Sequence, residues 1–447
     1  MNRIRKTIHV IPLFAFVIAC NVVSSAPVDT ATTTPVVAAA LPTIVPSPIL
    51  MDTITATPSE IVLNKISTAN NSDTILNNQC LNVTNAPPTS NTIIALRSLK
   101  NVLPRQSPDI ILMDMSKEQP RETIQKINIA PSFSVSPNGE LITYLASTII
   151  NGDVTQVDLI IADGNFQTQK SIPWEDQWDS ILGWAVDQKV IISLSRAEAS
   201  PSFVSFVLVD PLNGRQQAIH FSISDFPNGS LYDVPYWENW YGVLMDPTLK
   251  WAVYPKQSNV NAEMYTYALW DIVGNKLMFS LENIFSSSWF FIHASPMPTW
   301  SIDGKQFTFV GVRQDESPGE FELFLVNMNG DIKQLTNLSR IGYIWPSFHS
   351  WSPDNSDIAF FLTPQQKLGS DIANIAIVNT NTLNVTDLCL SVGIQETAPI
   401  WSPNGTQFLV IDRYGKDHLR ILLVDVVENI VFPIAEDAEP IGWMVKP

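Results

Sequence analysis

What most restricts this chain is a degenerate internal repeat. Its clearest copies are PIWSPNGTQFLV at 399–410, PTWSIDGKQFTF at 298–309 and SWSPDNSDIAF at 350–360. A fourth is PSFSVSPNGELITY at 131–144, and weaker copies lie at 183–192 and 245–254. Aligned on the position after the Ser, they fall at Pro137, Val186, Pro247, Ile302, Pro353 and Pro403, so the steps are 49, 61, 55, 51 and 50 residues. Each copy has a physical logic. A strand ends in an aromatic residue. Ser-Pro-Asp/Asn-Gly then makes a tight turn, in which Pro fixes φ and Gly tolerates φ > 0. An apolar strand returns. A third strand ending in Asp or Asn follows, at 109–114, 158–163, 205–210, 265–271, 322–327, 374–379 and 420–425. A short fourth strand is visible in several copies, as at 331–336. Four antiparallel strands per unit of about 50 residues predict one blade of a β-propeller.

Seven third strands are present, but first strands with their turn occur six times, from 131 to 402. The chain ends Pro440-Ile-Gly-Trp443-Met-Val, and Trp443 matches the aromatic end of a further first strand. The stretch from Asn91 to Ile127 has later strands with no first strand. Joined, the two ends make a composite blade, which removes the exposed edges of an open array. The expected fold is all-β, a propeller of seven four-stranded blades with composite N/C-terminal closure. Six blades is the alternative.

These motifs resemble the WD-like repeats of the TolB-type β-propeller family, whose blades carry Pro-x-Trp-Ser-Pro-Asp-Gly-x-x-Ile-Ala-Phe. The resemblance covers roughly residues 92–447 and is strongest around Trp300, Trp351 and Trp401. It implies a scaffold that binds other proteins or small ligands. The chain departs from the family before the propeller, where a Thr/Pro-rich segment replaces an α/β domain. Prolyl-oligopeptidase-type enzymes share this repeat class and add an α/β-hydrolase domain. The repeats here run to the last residues, so that domain is not expected.

The N-terminus reads as an address. Arg3, Arg5 and Lys6 precede an apolar stretch from Ile8 to Ala19. At about a dozen residues it is short for a membrane-spanning helix and suited to a signal-peptide core. Val17-Ile18-Ala19-Cys20 resembles the bacterial lipobox, which implies that Cys20 is diacylated and becomes the new N-terminus. Residues 21–59 are rich in Thr, Ala, Pro, Val and Ser, with only Asp29 and Asp52 charged. Pro at 27, 35, 42, 46, 48 and 58 opposes helix and continuous strand. The expected organisation is a signal peptide at 1–19, a lipid-anchored tether at 20–59, an N-terminal extension at 60–90 and the propeller at 91–447. The expected location is extracytoplasmic, on a bacterial membrane through the lipid alone.

The net charge of −17 repels phosphate backbones, so nucleic acid is not an expected partner. There is no Gly-x-Ser-x-Gly, His-Glu-x-x-His, Cys-x-x-Cys or phosphate-binding Gly loop. The five His, at 9, 220, 293, 349 and 418, lack metal-ligand spacing and read as surface or inter-blade residues. No metal, cofactor or catalytic residue is expected. With Cys20 acylated, Cys80 and Cys389 remain as an even pair in an oxidising compartment. They form a disulfide or stand as two separate thiols.

The two longest steps flank Pro247 and hold the densest aromatics, YWENWY at 236–241 and SWFF at 288–291. They either fill gaps between blades or form a stacking surface on enlarged loops. On the second reading Tyr236, Trp237, Trp240 and Trp289 are the ligand-binding candidates. The expected function is non-enzymatic binding or scaffolding, with a cell-envelope protein or a neutral glycan as partner. The alternative is a surface-attached hydrolase or lyase acting on polysaccharide.

Overall fold

The computed structural model describes residues 66–67, 76–88, 90–99, 109–116, 121–125, 129–150, 153–174, 180–193, 203–223, 243–257, 264–281, 284–287, 298–313, 321–364, 372–393, 397–414 and 418–446. All of them lie in one compact unit, Thr57–Pro447. They are almost wholly strand, with one 3-10 turn at Ser339–Ile341.

The fold is a seven-bladed β-propeller. Blade 1 pairs the C-terminal strand Ala438–Val445 with Thr92–Ser98, then Ile110–Asp114 and Arg121–Gln125. Blade 2 runs Ile129–Val135, Leu141–Ile150, Asp153–Asp163 and Thr168–Trp174. Blade 3 runs Ser180–Trp184, Val190–Ser193, Phe203–Val209 and Gln216–Ser222. Blade 4 has Leu244–Met245, Trp251–Gln257, Met264–Asp271 and Lys276–Ser280, and blade 5 has Thr299–Trp300, Gln306–Arg313, Glu322–Asn327 and Ile332–Gln334. Blade 6 comprises Tyr343–Trp351, Asp357–Pro364, Ile372–Asn379 and Val385–Gly393. Blade 7 comprises Ile400–Trp401, Gln407–Arg413, Leu419–Asp425 and Ile430–Glu436. Every blade has its fourth strand, where the sequence shows one only in several copies. A further strand, Ile284–Ser287, pairs with Met264 and Tyr265 of blade 4 and with Val312 and Arg313 of blade 5, joining the two.

Seven apolar seams hold the ring, each built from two adjacent blades, and their number decides seven blades over six. The strand alternation explains them. In blade 6, Ile358, Phe360 and Leu362 face blade 5, whereas Ala359 and Phe361 face blade 7. Both faces of each blade are buried, so the second and third strands read as nearly continuous apolar runs. Burying each such side chain contributes on the order of 2 kcal/mol.

The repeat tryptophan has a second role at the inner rim, where neighbouring first strands touch. Its indole Nε1 donates to the backbone carbonyl one residue before the matching position of the preceding blade. The bonds are Trp184 to Ser134 (3.2 Å), Trp300 to Leu244 (3.1 Å), Trp351 to Thr299 (3.1 Å), Trp401 to Ser350 (3.2 Å) and Trp443 to Ile400 (2.9 Å). Blades 2 and 4 place Val135 and Met245 at this position, which have no donor to offer.

The N-terminal extension is a strap around the outer rim. Ile66–Ser67, Leu76–Asn78 and Asn82–Val83 add in parallel to the fourth strands of blades 5, 6 and 7. The structure joins Cys80 to Cys389 by a disulfide, with Cα atoms 4.7 Å apart.

Candidate functional site

The antiparallel order sorts the connections onto two ends of the ring. First-to-second and third-to-fourth turns lie at one end. Second-to-third and fourth-to-first connections lie at the other. At the first end the polar groups are spent on the backbone. The repeat Ser hydroxyl accepts the N–H five residues on, from Leu141, Gln306, Asp357 and Gln407, at 2.9–3.1 Å. Asp246, fully buried, substitutes for that Ser in blade 4 and accepts from the N–H groups of Lys250 and Trp251, both at 2.7 Å. The Asp or Asn closing each third strand accepts an N–H two or three residues on at 2.7–3.2 Å, in all seven blades: Asp114, Asp163, Asp210, Asp271, Asn327, Asn379 and Asp425. These are Asx turns. The acidic residues that recur there are therefore turn-formers.

The opposite end carries the ionisable chemistry. Five residues before each Asx the third strand holds a polar residue: Asp109, Asp158, Ser205, Thr266, Glu322, Asn374 and Arg420. Glu322 is 1% exposed. It accepts from Thr336 Oγ1 (2.6 Å), Leu338 N (2.9 Å), Ser339 N (2.9 Å) and Ser339 Oγ (2.8 Å), tying the connection from blade 5 to blade 6. Burial pushes its carboxyl above the ordinary range, and the four donors pull the other way. In blade 7 Arg420 donates through Nε and Nη2 to Asp412, whose other oxygen accepts Gly393 N from blade 6 at 2.9 Å. Arg420 also lies 5.3 Å over the Tyr414 ring, and His418 stacks on that ring with centroids 5.7 Å apart. In blade 1 Arg97 pairs with Glu439. Each of these groups has a partner, and among the described residues no group of three His, Cys, Asp or Glu can hold a metal ion.

Of the residues singled out in the sequence, Cys20, Tyr236, Trp237, Trp240 and Trp289 lie outside the described residues, as do His9 and His293. The strands flanking the aromatic segments leave and re-enter the ring at the end that carries Glu322 and Arg420. His418 is exposed and 3.4 Å from Asp437. His349 is buried in the first strand of blade 6. Glu322 and the Arg420–Asp412 pair went unnoticed in the sequence. Their signal is present there as the polar residue five places before each Asx.

No family model matches the chain, and no curated protein matches it. Solved structures do. TolB from Acinetobacter baumannii is 17% identical, with 79% of this chain and 82% of that chain covered and a TM-score of 0.43. Oligogalacturonate lyase from Vibrio parahaemolyticus is 11% identical, with 80% and 86% covered and a TM-score of 0.44. At these levels the likeness carries no argument about ligand or chemistry.

Proposed function

We propose that this chain is an extracytoplasmic, lipid-anchored propeller that binds a protein or neutral glycan without catalysis, through the end of the ring that carries the long connections. One observation carries the reading. At the other end five repeat turns and all seven Asx turns bond their polar side chains to nearby backbone, whereas the longest connections, 223–243 and 281–298, join strands at the Glu322 end. Loops on a rigid scaffold are where recognition concentrates. Those two connections hold Tyr236, Trp237, Trp240 and Trp289. Such aromatics supply stiff, amphipathic contact area, and a good anchor is worth about 2 kcal/mol or more. The acidic surface disfavours polyanions and favours neutral glycans or basic protein segments. A disulfide is at home in an oxidising compartment, which agrees with the signal-like N-terminus and the acylated Cys20 of this reading.

The test is Trp237→Ala with Trp240→Ala, and separately Trp289→Ala, scored for melting temperature and for binding to panels of glycans and cell-envelope proteins. The expected result is lost binding with little change in melting. Early unfolding of every variant would assign these residues to blade packing. Detergent partitioning of the parent and Cys20→Ala checks the anchor, and equal retention of both in the aqueous phase overturns it.

A further inference from the structure

Besides its disulfide, the strap is held to blades 6 and 7 by two short parallel pairings, at Leu76–Asn78 and Asn82–Val83, and by the Gln79 and Asn82 side chains, which donate to Asn429. Beyond the ladder at Asn82–Val83, the backbone bonds of 79–84 include Gln79 N to Asp387 O (2.9 Å), Leu81 N to Leu388 O (3.2 Å), Asn82 N to Asn429 O (2.9 Å) and Thr84 N to Val431 O (3.1 Å). Asn77 through Cys80, Asn82 and Val83 are exposed, with Val83 at 78%. Only Leu76 and Leu81, both half-buried, pack on the seams beneath. Pairings of two or three residues with exposed hydrogen bonds open readily on their own.

The ring offers its cysteine on a specific platform. The register of the fourth strand of blade 6 shifts between Asp387 and Ser391, so Cys389 sits on a bulge. Its φ is +53°, in the left-handed region that costs a non-glycine residue energy. Its N–H is fixed by Asp387 Oδ1 at 2.7 Å, and Asp387, 5% exposed, also accepts from Asn374 Nδ2 at 3.0 Å. Cys80 and Cys389 are both exposed, so a thiolate from solvent can reach the bond. Ring closure uses other elements altogether, the pairing of Ala438–Val445 with Thr92–Ser98.

We propose that Cys80–Cys389 is a redox clasp, whose opening by a dithiol reductant frees 76–84 from the rims of blades 6 and 7 while the ring stays closed. One thiolate of the reductant attacks a sulfur of the pair and expels the other as thiolate. The second thiolate of the reductant then attacks the reductant's own sulfur in the mixed disulfide and expels the remaining protein cysteine as thiolate. Two electrons and two protons pass to the protein, giving two Cys thiols and a disulfide in the reductant. Release uncovers the outer edges of Val385–Gly393 and Ile430–Glu436, which are strand-accepting surfaces. The clasp does not depend on what the loop end of the ring binds.

Hydrogen exchange with mass spectrometry on the full chain tests it, before and after dithiothreitol and on Cys389→Ser. Protection of the Gln79, Leu81, Asn82 and Thr84 amides is expected to fall on the order of 100-fold on reduction, and to be equally low in the variant. Protection in 92–98 and 438–445 is expected to stay within about twofold. Unchanged protection at 79–84 after complete reduction overturns the clasp. Loss of protection across the ring together with the strap also overturns it, because the bond is then a general staple.

Discussion

Trp443 Nε1 donates to the Ile400 carbonyl at 2.9 Å, repeating at the last first strand of the chain the bond that Trp401 makes to Ser350 one blade earlier. The two ends of the chain meet instead within blade 1, where Ala438–Val445 pairs with Thr92–Ser98. The indole also fills the seam between blades 7 and 1 with Ile94, Leu96, Leu409 and Leu423. Trp443→Phe keeps most of that packing and loses the donor, which is expected to cost about 1 kcal/mol. Trp443→Ala is expected to cost about 3–5 kcal/mol, read from urea unfolding. Truncation after Glu439 removes most of the strand and leaves Thr92–Ser98 as an open edge. A truncated chain as soluble and heat-stable as the parent would show that this strand does not close the ring.

Gly393 permits a close backbone approach between blades 6 and 7. A Cβ built on it would lie 1.9 Å from Arg413 O and 2.8 Å from Arg413 C. Its N–H meanwhile bonds the buried Asp412, which Arg420 neutralises. Gly393→Ala must therefore push the two blades apart at the loop end, where no flexible side chain can yield. The expected loss is about 1–3 kcal/mol, with the damage confined to blades 6 and 7 in hydrogen exchange. A variant as stable as the parent would mean that the Arg413 peptide rotates freely out of the way.

The repeat was legible because its turn chemistry is local: Ser, Pro, Asp/Asn and Gly each act on atoms within five residues. Closure by Trp443 was legible too, since a first strand missing at one end and left over at the other is a count on the sequence. The strap was not. Ile66–Ser67, Leu76–Asn78 and Asn82–Val83 are two or three residues long and mostly polar, so they have no periodicity to detect, and their partners lie some 300 residues away (Leu76 pairs with Val385). Glu322 was hidden for a related reason. A single acid at the head of an apolar strand looks like a solvated turn until the loop carrying Thr336 and Ser339 folds over it.

Glu322 gives a pH prediction. Its carboxyl is raised in the folded chain, first by burial. The native state then holds a proton that the unfolded chain has lost, so this contribution is full below the ordinary Glu value and fades as pH rises through the folded one. Glu322→Gln carries no charge at any pH. Its stability relative to the parent is expected to improve as pH rises above the ordinary Glu value, measured as urea midpoints from acid to neutral pH. A constant difference would show that the Thr336 and Ser339 bonds fully offset the burial.

His349 should behave in the opposite sense. It is 1% exposed, and neither ring nitrogen makes a hydrogen bond of good geometry, the Thr308 backbone being a weak partner. Burial lowers its pKa to about 4, opposed by the backbone of Thr308. The unfolded chain therefore binds a proton that the native state refuses, between the ordinary value of 6.5 and about 4. Stability from this site is full above 6.5 and falls as pH drops through that window. The separation of about 2.5 units corresponds to about 3 kcal/mol. His349→Leu removes both poorly bonded ring nitrogens and the titration. It is expected to be at least as stable as the parent near pH 7 and to lose that part of the acid destabilisation. Parent and variant unfolding with the same slope between about pH 4 and 6.5 would show that His349 is hydrated in solution and titrates normally.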